Sequence, residues 1–297
     1  MDKGEKRERP LFSVIVVCLN AGEKLLQTLK TVRSQNFKDY EVVVKDGGSG
    51  DGCVRELRKW LEEQPEEFAR RVRIIEKADS GIYDAMNQAS AIAAGTWFIF
   101  LNCGDYFYDA DALGKTSAEI LISAGIKIPT GIITEEENPG AGIYYGDIYD
   151  RARGSLVASS PRINGFVCYR NLPCHQACVY HRSLFAERGY DTSYRVRADY
   201  EHFLWCYYEK KVIPRYVPVT LASYEGEGFS ETESSRKQSA REHREITARY
   251  MRRRERFGYR LILALTLAPV RTKIANSPAM AGVYNRMKAK LYKRTGG

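Results

Sequence analysis

Five stretches carry residue types that can do chemistry. The first is FIFLNCGDYF, Phe98 to Phe107, where a run of large apolar residues ends in Asn102-Cys103-Gly104-Asp105. Such a run, closed by a turn signal, reads as a strand buried on both faces. A carboxylate just past the C-terminal end of that strand stands where open α/β sheets take ligands. Asp105 is therefore a candidate metal ligand; alone, it would equally serve to cap the next turn. The second stretch, DGGSGDG from Asp46 to Gly52, follows an apolar run and opens a helical one. Its glycines allow close backbone approach to a phosphate or base, and a helix start favours anions. The spacing does not match GxGxxG, so a dinucleotide fingerprint is not indicated. The third, Asp79 to Asn87 (DSGIYDAMN), begins with a capping pair and sets Asp84 and Asn87 on one helix face. The fourth, Cys174-His175 with Cys178 and His181, has zinc-ligand residue types without the paired CxxC spacing, and QACVY reads as a strand that would splay them. The fifth, Ala198-Asp199-Tyr200-Glu201-His202, opens a helix with two carboxylates. The helix dipole accounts for both, and a general base deprotonating a hydroxyl is the functional use. Gly114-Lys115-Thr116 imitates the end of a P-loop, but Asp109 stands where the earlier glycine is required.

The elements that must position these residues alternate. Phe12 to Leu19 is a buried strand, and Leu25, Leu26, Leu29 and Val32 follow at helical spacing. Tyr40 to Lys45 is a second strand, Val54 to Leu61 a helix, Val72 to Glu76 a third strand and Ile82 to Ala94 a small-residue helix leading to the Phe98 strand. This order predicts an α/β fold with a mostly parallel sheet and right-handed crossovers. Beyond it, Leu113 to Ala124 reads as a helix and Ile143 to Ile148 as a strand. Cys174 to Tyr180 and Lys211 to Val219 are strand candidates, and Ala198 to Lys210 is a helix.

With 297 residues the chain can bury a large core. Seven cysteines without paired spacing do not form a secreted disulfide framework, and MDKGEKRERP lacks the apolar stretch of a signal peptide, so a cytoplasmic chain with reduced thiols is expected. The net charge of +9 is uneven. From Arg236 to Gly297 there are 17 Lys and Arg against 3 Asp and Glu, leaving 29 against 34 elsewhere. A mildly acidic body with a basic tail points to an anionic surface. Leu261 to Val270 is too short to span a bilayer. Met280, Val283, Tyr284, Met287 and Leu291 repeat at helical spacing with Lys and Arg mostly set away from that stripe, the pattern of a helix lying in an interface; packing on the body or on a homodimer partner is the alternative use. The expected organisation is a mobile leader, 1–10, a domain, 11–228, and a basic helical region, 229–297.

Together SVIVVCLNAGEKLLQTLKTVRSQ, VVVKDGGSGDG, ADSGIYDAMNQASAIAAGTWFIFLNCGDYF, YYGD, CHQACVYHRSLF and RVRADYEHFLW resemble a family 2 glycosyltransferase of the GT-A fold, over about Phe12 to Ser230. The likeness extends to the bacterial colanic acid and exopolysaccharide subgroup. The resemblance implies an inverting transferase that moves a sugar from a nucleotide-sugar donor, UDP-linked in the first instance, to a lipid-linked or glycan acceptor in cell-surface polysaccharide synthesis. It implies nucleotide contacts at Leu19, Asn20, Asp46, Asp79 and Asn87, and a Mn²⁺ or Mg²⁺ ion on Asp105. It further implies a donor and acceptor pocket at Asn102, Gly104, Asp147, His175 and Gln176, with Asp199 as catalytic base. The family's second acidic residue is replaced by Gly47, its DxD region has a single carboxylate, and Met86 stands where an arginine often precedes Asn87. One carboxylate suffices where substrate phosphate and water complete the metal's octahedron. A peripheral site on the inner face of the membrane follows from the tail and a lipid-linked acceptor.

Two other classes compete. A non-catalytic nucleotide-sugar-binding relative would lack metal-dependent turnover. An RNA-binding protein would need a stacking platform that the tail does not present, so no nucleic-acid partner is expected.

Overall fold

A computed structural model describes residues 9–123, 142–225, 233–266 and 287–288. The first half is an alternation of strands and helices: β1 (Phe12–Cys18), α1 (Glu23–Arg33), β2 (Tyr40–Asp46), α2 (Cys53–Glu62), α3 (Glu66–Ala69), β3 (Val72–Glu76), α4 (Ile82–Ile92) and β4 (Trp97–Phe100). The strands pair in parallel in the order β3-β2-β1-β4. Strand periodicity explains the layering. Phe12, Val14, Val16 and Cys18 join one apolar layer with α1 and α2, while Ile15 and Val17 join the other with α4. A strand buried on both faces must be apolar at successive positions, which is why these segments were readable.

The second half comprises β5 (Tyr106–Phe107), α5 (Ala112–Ser123), β6 (Ile143–Asp150), β7 (Ser155–Val157), α6 (Gly165–Arg170), β8 (Cys178–His181), α7 (Arg182–Glu187), α8 (Ala198–Tyr208), β9 (Arg215–Tyr224), α9 (Glu233–Tyr250) and α10 (Arg253–Leu265). The α/β class and the central sheet flanked by helices are as expected, but this half of the sheet is mixed. β8 is antiparallel to β4 and to β6, β9 is parallel to β6, and β5 is antiparallel to β9. The last strand begins four residues later than expected, at Arg215. Its ladder with β6 slips between Tyr145 and Asp147; Pro218, which has no N–H to give, lies within that slip. Gly146 fits there because a Cβ would lie 2.2 Å from the Val219 carbonyl.

The antiparallel entry of β8 is what builds the site. Ile99 faces Val179, so the chain just before β8 lies beside the chain just after β4. The segment expected as a strand from Cys174 is a 3-10 turn over His175–Ala177 that leads into β8. The tail helix proposed over Met280 to Leu291 lies outside the described residues apart from Met287 and Lys288. The helix α9, within the expected basic helical region 229–297, packs on α8, burying Glu242, Ile246 and Thr247.

Candidate active site

The parallel strands bring the Leu19-Asn20 turn, the Asp46 loop and the Asn102–Asp105 loop to one edge of the sheet. Asn20 adopts φ +50° and is tied to the glycine loop: its N–H donates to Ser49 Oγ at 2.8 Å, and its Oδ1 accepts from Gly50 N at 2.9 Å. Leu19 beside it is 61% exposed, an apolar side chain available to a flat ligand. Asp46 is 1% exposed and organises the loop from within. Its Oδ2 accepts from Gly48 N and Ser49 N, each at 2.9 Å, and its Oδ1 accepts from the Ser49 hydroxyl. Burial pushes this carboxyl up, and the bonds from Ser49, Gly48 and the Cys18 thiol outweigh it, leaving it below the ordinary aspartate value.

Asp79 lies beneath this loop. Its Oδ2 pairs at 2.7 Å with Lys45 Nζ, which also donates to the carbonyls of Asp46 and Lys77. The sequence read Lys45 as a strand end; it is fully buried and couples the loop after β2 to the start of α4. Lys45→Met is expected to cost about 3–5 kcal/mol, because the Asp79 carboxylate would stay buried without its cation. Urea unfolding checks this, and a loss below about 1 kcal/mol would contradict it. Asn87 serves elsewhere: its carboxamide donates to Tyr190 O at 2.9 Å and accepts from Tyr190 N at 2.7 Å. Both its groups hold the backbone after α7. Asp84 likewise accepts from Ser80 rather than forming a shared ligand face with it.

The loop after β4 is pinned from α1. Thr28 Oγ1 accepts from Gly104 N at 2.9 Å and donates to Asp105 O at 3.0 Å. Gly104 holds φ +92°, a turn that side chains disfavour. Arg151, which carried no sequence signal, donates to Gly104 O and stacks 3.8 Å from the Tyr106 ring centre. Above this loop, the 3-10 turn before β8 reaches both candidate aspartates. Gln176 Nε2 donates to Asp105 Oδ2 at 2.8 Å. His175 Nε2 accepts from Asn102 Nδ2 at 3.1 Å, and His175 Nδ1 lies 3.7 Å from Asp199 Oδ2. Asp105 and Asp199, 94 positions apart by their numbers, therefore border neighbouring residues of one turn. The Tyr83 hydroxyl, from α4, lies 2.9 Å from Asp199 Oδ1 and 2.8 Å from Val196 O. Burial first and the Asp199 charge second raise the Tyr83 pKa far above its ordinary value, so it remains a proton donor here. Asp147, on β6 beside the same turn, accepts from Ser159 N at 2.8 Å and from the Tyr216 hydroxyl at 3.1 Å.

The donor set after β4 fits a hard divalent ion. Burial raises the Asp105 carboxyl above its ordinary value, against the opposing effects of Gln176 and His175. Asn102 Oδ1 is buried without a hydrogen-bond partner. An oxygen pair of this kind suits Mn²⁺ or Mg²⁺. Cys18, Asp46 and Cys53 also bring ligand atoms within 4.8 Å of one another, but two thiols suit softer ions, and hydrogen bonds already engage both Asp46 oxygens. The Cys174, His175, Cys178 and His181 set does not converge: Cys178 donates to Cys174 O, His175 faces Asn102, and His181 stacks edge-on against Trp97. Lys115 pairs with Asp109 within the α5 entry, so the P-loop likeness has no structural counterpart.

The family model "Glycosyl transferase family 2" matches residues 13–124. A PGL/p-HBAD biosynthesis glycosyltransferase of Mycobacterium bovis is 32% identical over 225 residues, which is 75% of this chain and 80% of that one. Among solved structures, S. aureus TarS 1-349 superposes with a TM-score of 0.55 at 16% identity, over 72% of this chain and 60% of that chain. Its complex with UDP-GlcNAc gives 0.56 at 17%, over 86% and 71%. The mannosyltransferase PcManGT from Pyrobaculum calidifontis, in complex with GDP-Man and Mn²⁺, gives 0.58 at 18% identity, over 98% of this chain and 84% of that one. The fold, the matched segment and the extent of the mycobacterial likeness agree: this chain belongs to glycosyl transferase family 2.

Proposed function

We propose that Asp105 and Asp199 line one cleft, and that it transfers a sugar, with inversion, from a nucleotide-sugar donor to a hydroxyl of a lipid-linked or glycan acceptor. The observation that carries this is the His175-Gln176 pair, which touches Asn102 and Asp105 on one side and approaches Asp199 on the other. Asp199 takes the proton of the acceptor hydroxyl as its oxygen attacks the anomeric carbon and the bond to the diphosphate breaks. Tyr83 orients the Asp199 carboxylate through Oδ1, leaving Oδ2 on the His175 side. Leu19 and Asn20 meet the base and ribose; Asp46 and Asp79 shape the loop that does so from beneath. Asp105, with Asn102, would hold Mn²⁺ or Mg²⁺, which when bound offsets charge on the departing nucleoside diphosphate. UDP is the first candidate, supported by the UDP-GlcNAc complex of TarS; the GDP-Man complex of PcManGT makes GDP the second. A role in cell-surface polysaccharide or glycolipid synthesis is the reading that joins the exopolysaccharide-like motifs to the mycobacterial relative's name.

A thermal-shift screen of UDP-, GDP- and dTDP-sugars with and without Mn²⁺ tests the donor. Metal-dependent hydrolysis of the donor found there separates an enzyme from a non-catalytic binding subunit. No stabilisation by any of them would overturn the reading.

The membrane contact falls to α10. Phe257, Leu261 and Leu265 form an exposed stripe four residues apart, with Ile262 beside it, and Arg252, Arg253, Arg254 and Arg256 precede or flank it. Apolar stripe and cations together suit an anionic bilayer surface. Among the described residues no helix is long and apolar enough to cross a membrane. Replacing Leu261 and Leu265 by Asp is expected to weaken binding to phosphatidylglycerol vesicles at least about tenfold; unchanged sedimentation with vesicles would refute it.

A further inference from the structure

We infer that Glu242, on α9, is a positioning residue for Asp199, so that the helix following the sheet completes the catalytic machinery. This rests on the assignment of Asp199 as base. Helix α8 starts without a side-chain cap from its own N-cap residue, Arg197. The three residues entering it point their N–H groups at one carboxylate instead. Glu242 Oε1 accepts from Arg195 N at 2.9 Å, and Oε2 accepts from Val196 N at 3.1 Å and Arg197 N at 2.8 Å. Successive N–H groups converging on an anion form a nest, and Glu242, 2% exposed, fills it.

The geometry extends in both directions. On the outer side, Gln238 Nε2 donates to Glu242 Oε1 at 2.9 Å, and Arg197 Nε donates to Ser239 Oγ at 2.7 Å and to its carbonyl at 3.0 Å. Positions 238, 239 and 242 share one face of α9. On the inner side, the peptide held at Val196 presents its carbonyl to the Tyr83 hydroxyl, the same hydroxyl that reaches Asp199 Oδ1. Asp199 itself follows two residues after Arg197. Displacing the 195–197 backbone thus moves both Asp199 and the hydroxyl that orients it. Among the described residues none of these groups hydrogen-bonds to Asp46 or Asp105, so donor binding should be spared.

Glu242→Gln puts an N–H₂ where one carboxylate oxygen accepts, so at least one of the three N–H groups meets a donor. The expected result is a fall in kcat of about 10- to 100-fold, with donor KM within about twofold of wild type. The discriminating measurement is the single-turnover rate in four proteins: wild type, Glu242→Gln, Asp199→Asn and the double variant. If Glu242 acts through Asp199, its replacement costs less than about twofold once Asp199 is Asn. The same factor in both backgrounds would mean a general structural role and would overturn the inference. Wild-type kcat in Glu242→Gln with an inactive Asp199→Asn would remove the role of Glu242 alone. Wild-type kcat in Asp199→Asn would remove the base and this inference with it. Should Glu242→Gln fail to fold, Ser239→Ala, which removes one of the two bonds that Arg197 Nε makes to Ser239, is measured in the same cycle and held to the same non-additivity.

Discussion

Asp199→Asn is expected to lower the transfer rate about 10²–10⁴-fold, the usual contribution of a positioned base, while the nucleoside diphosphate binds as in wild type. The substitution is conservative in shape. An asparagine Oδ1 still accepts from the Tyr83 hydroxyl at the position Asp199 Oδ1 holds, 2.9 Å away. The side chain is 27% exposed, so neutralising it strands no buried partner. The helix dipole loses a charge in its first turn, an effect of about 0.3–1 kcal/mol, too small to unfold the protein. What the amide cannot do is accept the acceptor's proton at neutral pH. Asp105 bonds to Gln176 rather than to Asp199, and Asp46 bonds within its own loop, so donor affinity measures their integrity separately. The check is kcat for transfer beside the dissociation constant for the nucleoside diphosphate. A rate within tenfold of wild type would mean that another group removes the proton, with His175 next to be tested because its Nδ1 lies 3.7 Å from the same carboxylate.

Much of this site could be read from the chain because its supports are repetitive. Strands buried on both faces give apolar runs, and the helices between them give a 3.6-residue period, so β1 to β4 and α1, α2 and α4 fall within a few residues of their expected ends. The strand-end rule then singles out Asp105 by position, whereas the expected roles of Asn20 and Asp46 come from the family resemblance. The antiparallel half was less legible. β8 is four residues long, and its preceding turn reads as more strand, because a single turn of 3-10 helix leaves no period. Proline at 214 and 218 hides where β9 begins and slips. Long-range polar pairs left no local trace. Lys45 looks like the polar end of VVVK, and nothing near it names Asp79, 34 residues on. Glu242 sits in a helix whose composition reads as solvent-facing, although its carboxylate is buried against a turn 45 residues earlier. Asn87 likewise gave no local sign that its carboxamide would hold the backbone of Tyr190.

Asp105→Asn is expected to abolish the Mn²⁺-dependent part of donor binding, at least about a tenfold loss of affinity, while leaving the metal-free protein as stable as wild type or more so. The two halves have one cause. Burial leaves the Asp105 carboxyl with a pKa above its ordinary 3.8, and the bond from Gln176 only partly offsets this. A group whose folded pKa is raised contributes stability below its unfolded value and loses that contribution as pH rises through the folded one. At neutral pH without metal, the ionised Asp105 therefore works against the fold. Asparagine removes the charge and can still accept from Gln176 Nε2, so the apo melting temperature should hold or rise. A divalent cation reverses the balance, because only the deprotonated carboxylate binds it. Metal-dependent donor affinity should accordingly weaken as pH falls through the raised Asp105 value, at a pH higher than an exposed aspartate would require. Melting curves of both proteins with and without Mn²⁺, and donor titrations across that range, test both halves. A variant that loses several degrees without metal would show that the charge supports the fold. One that keeps the full Mn²⁺ response would place the ion on other ligands.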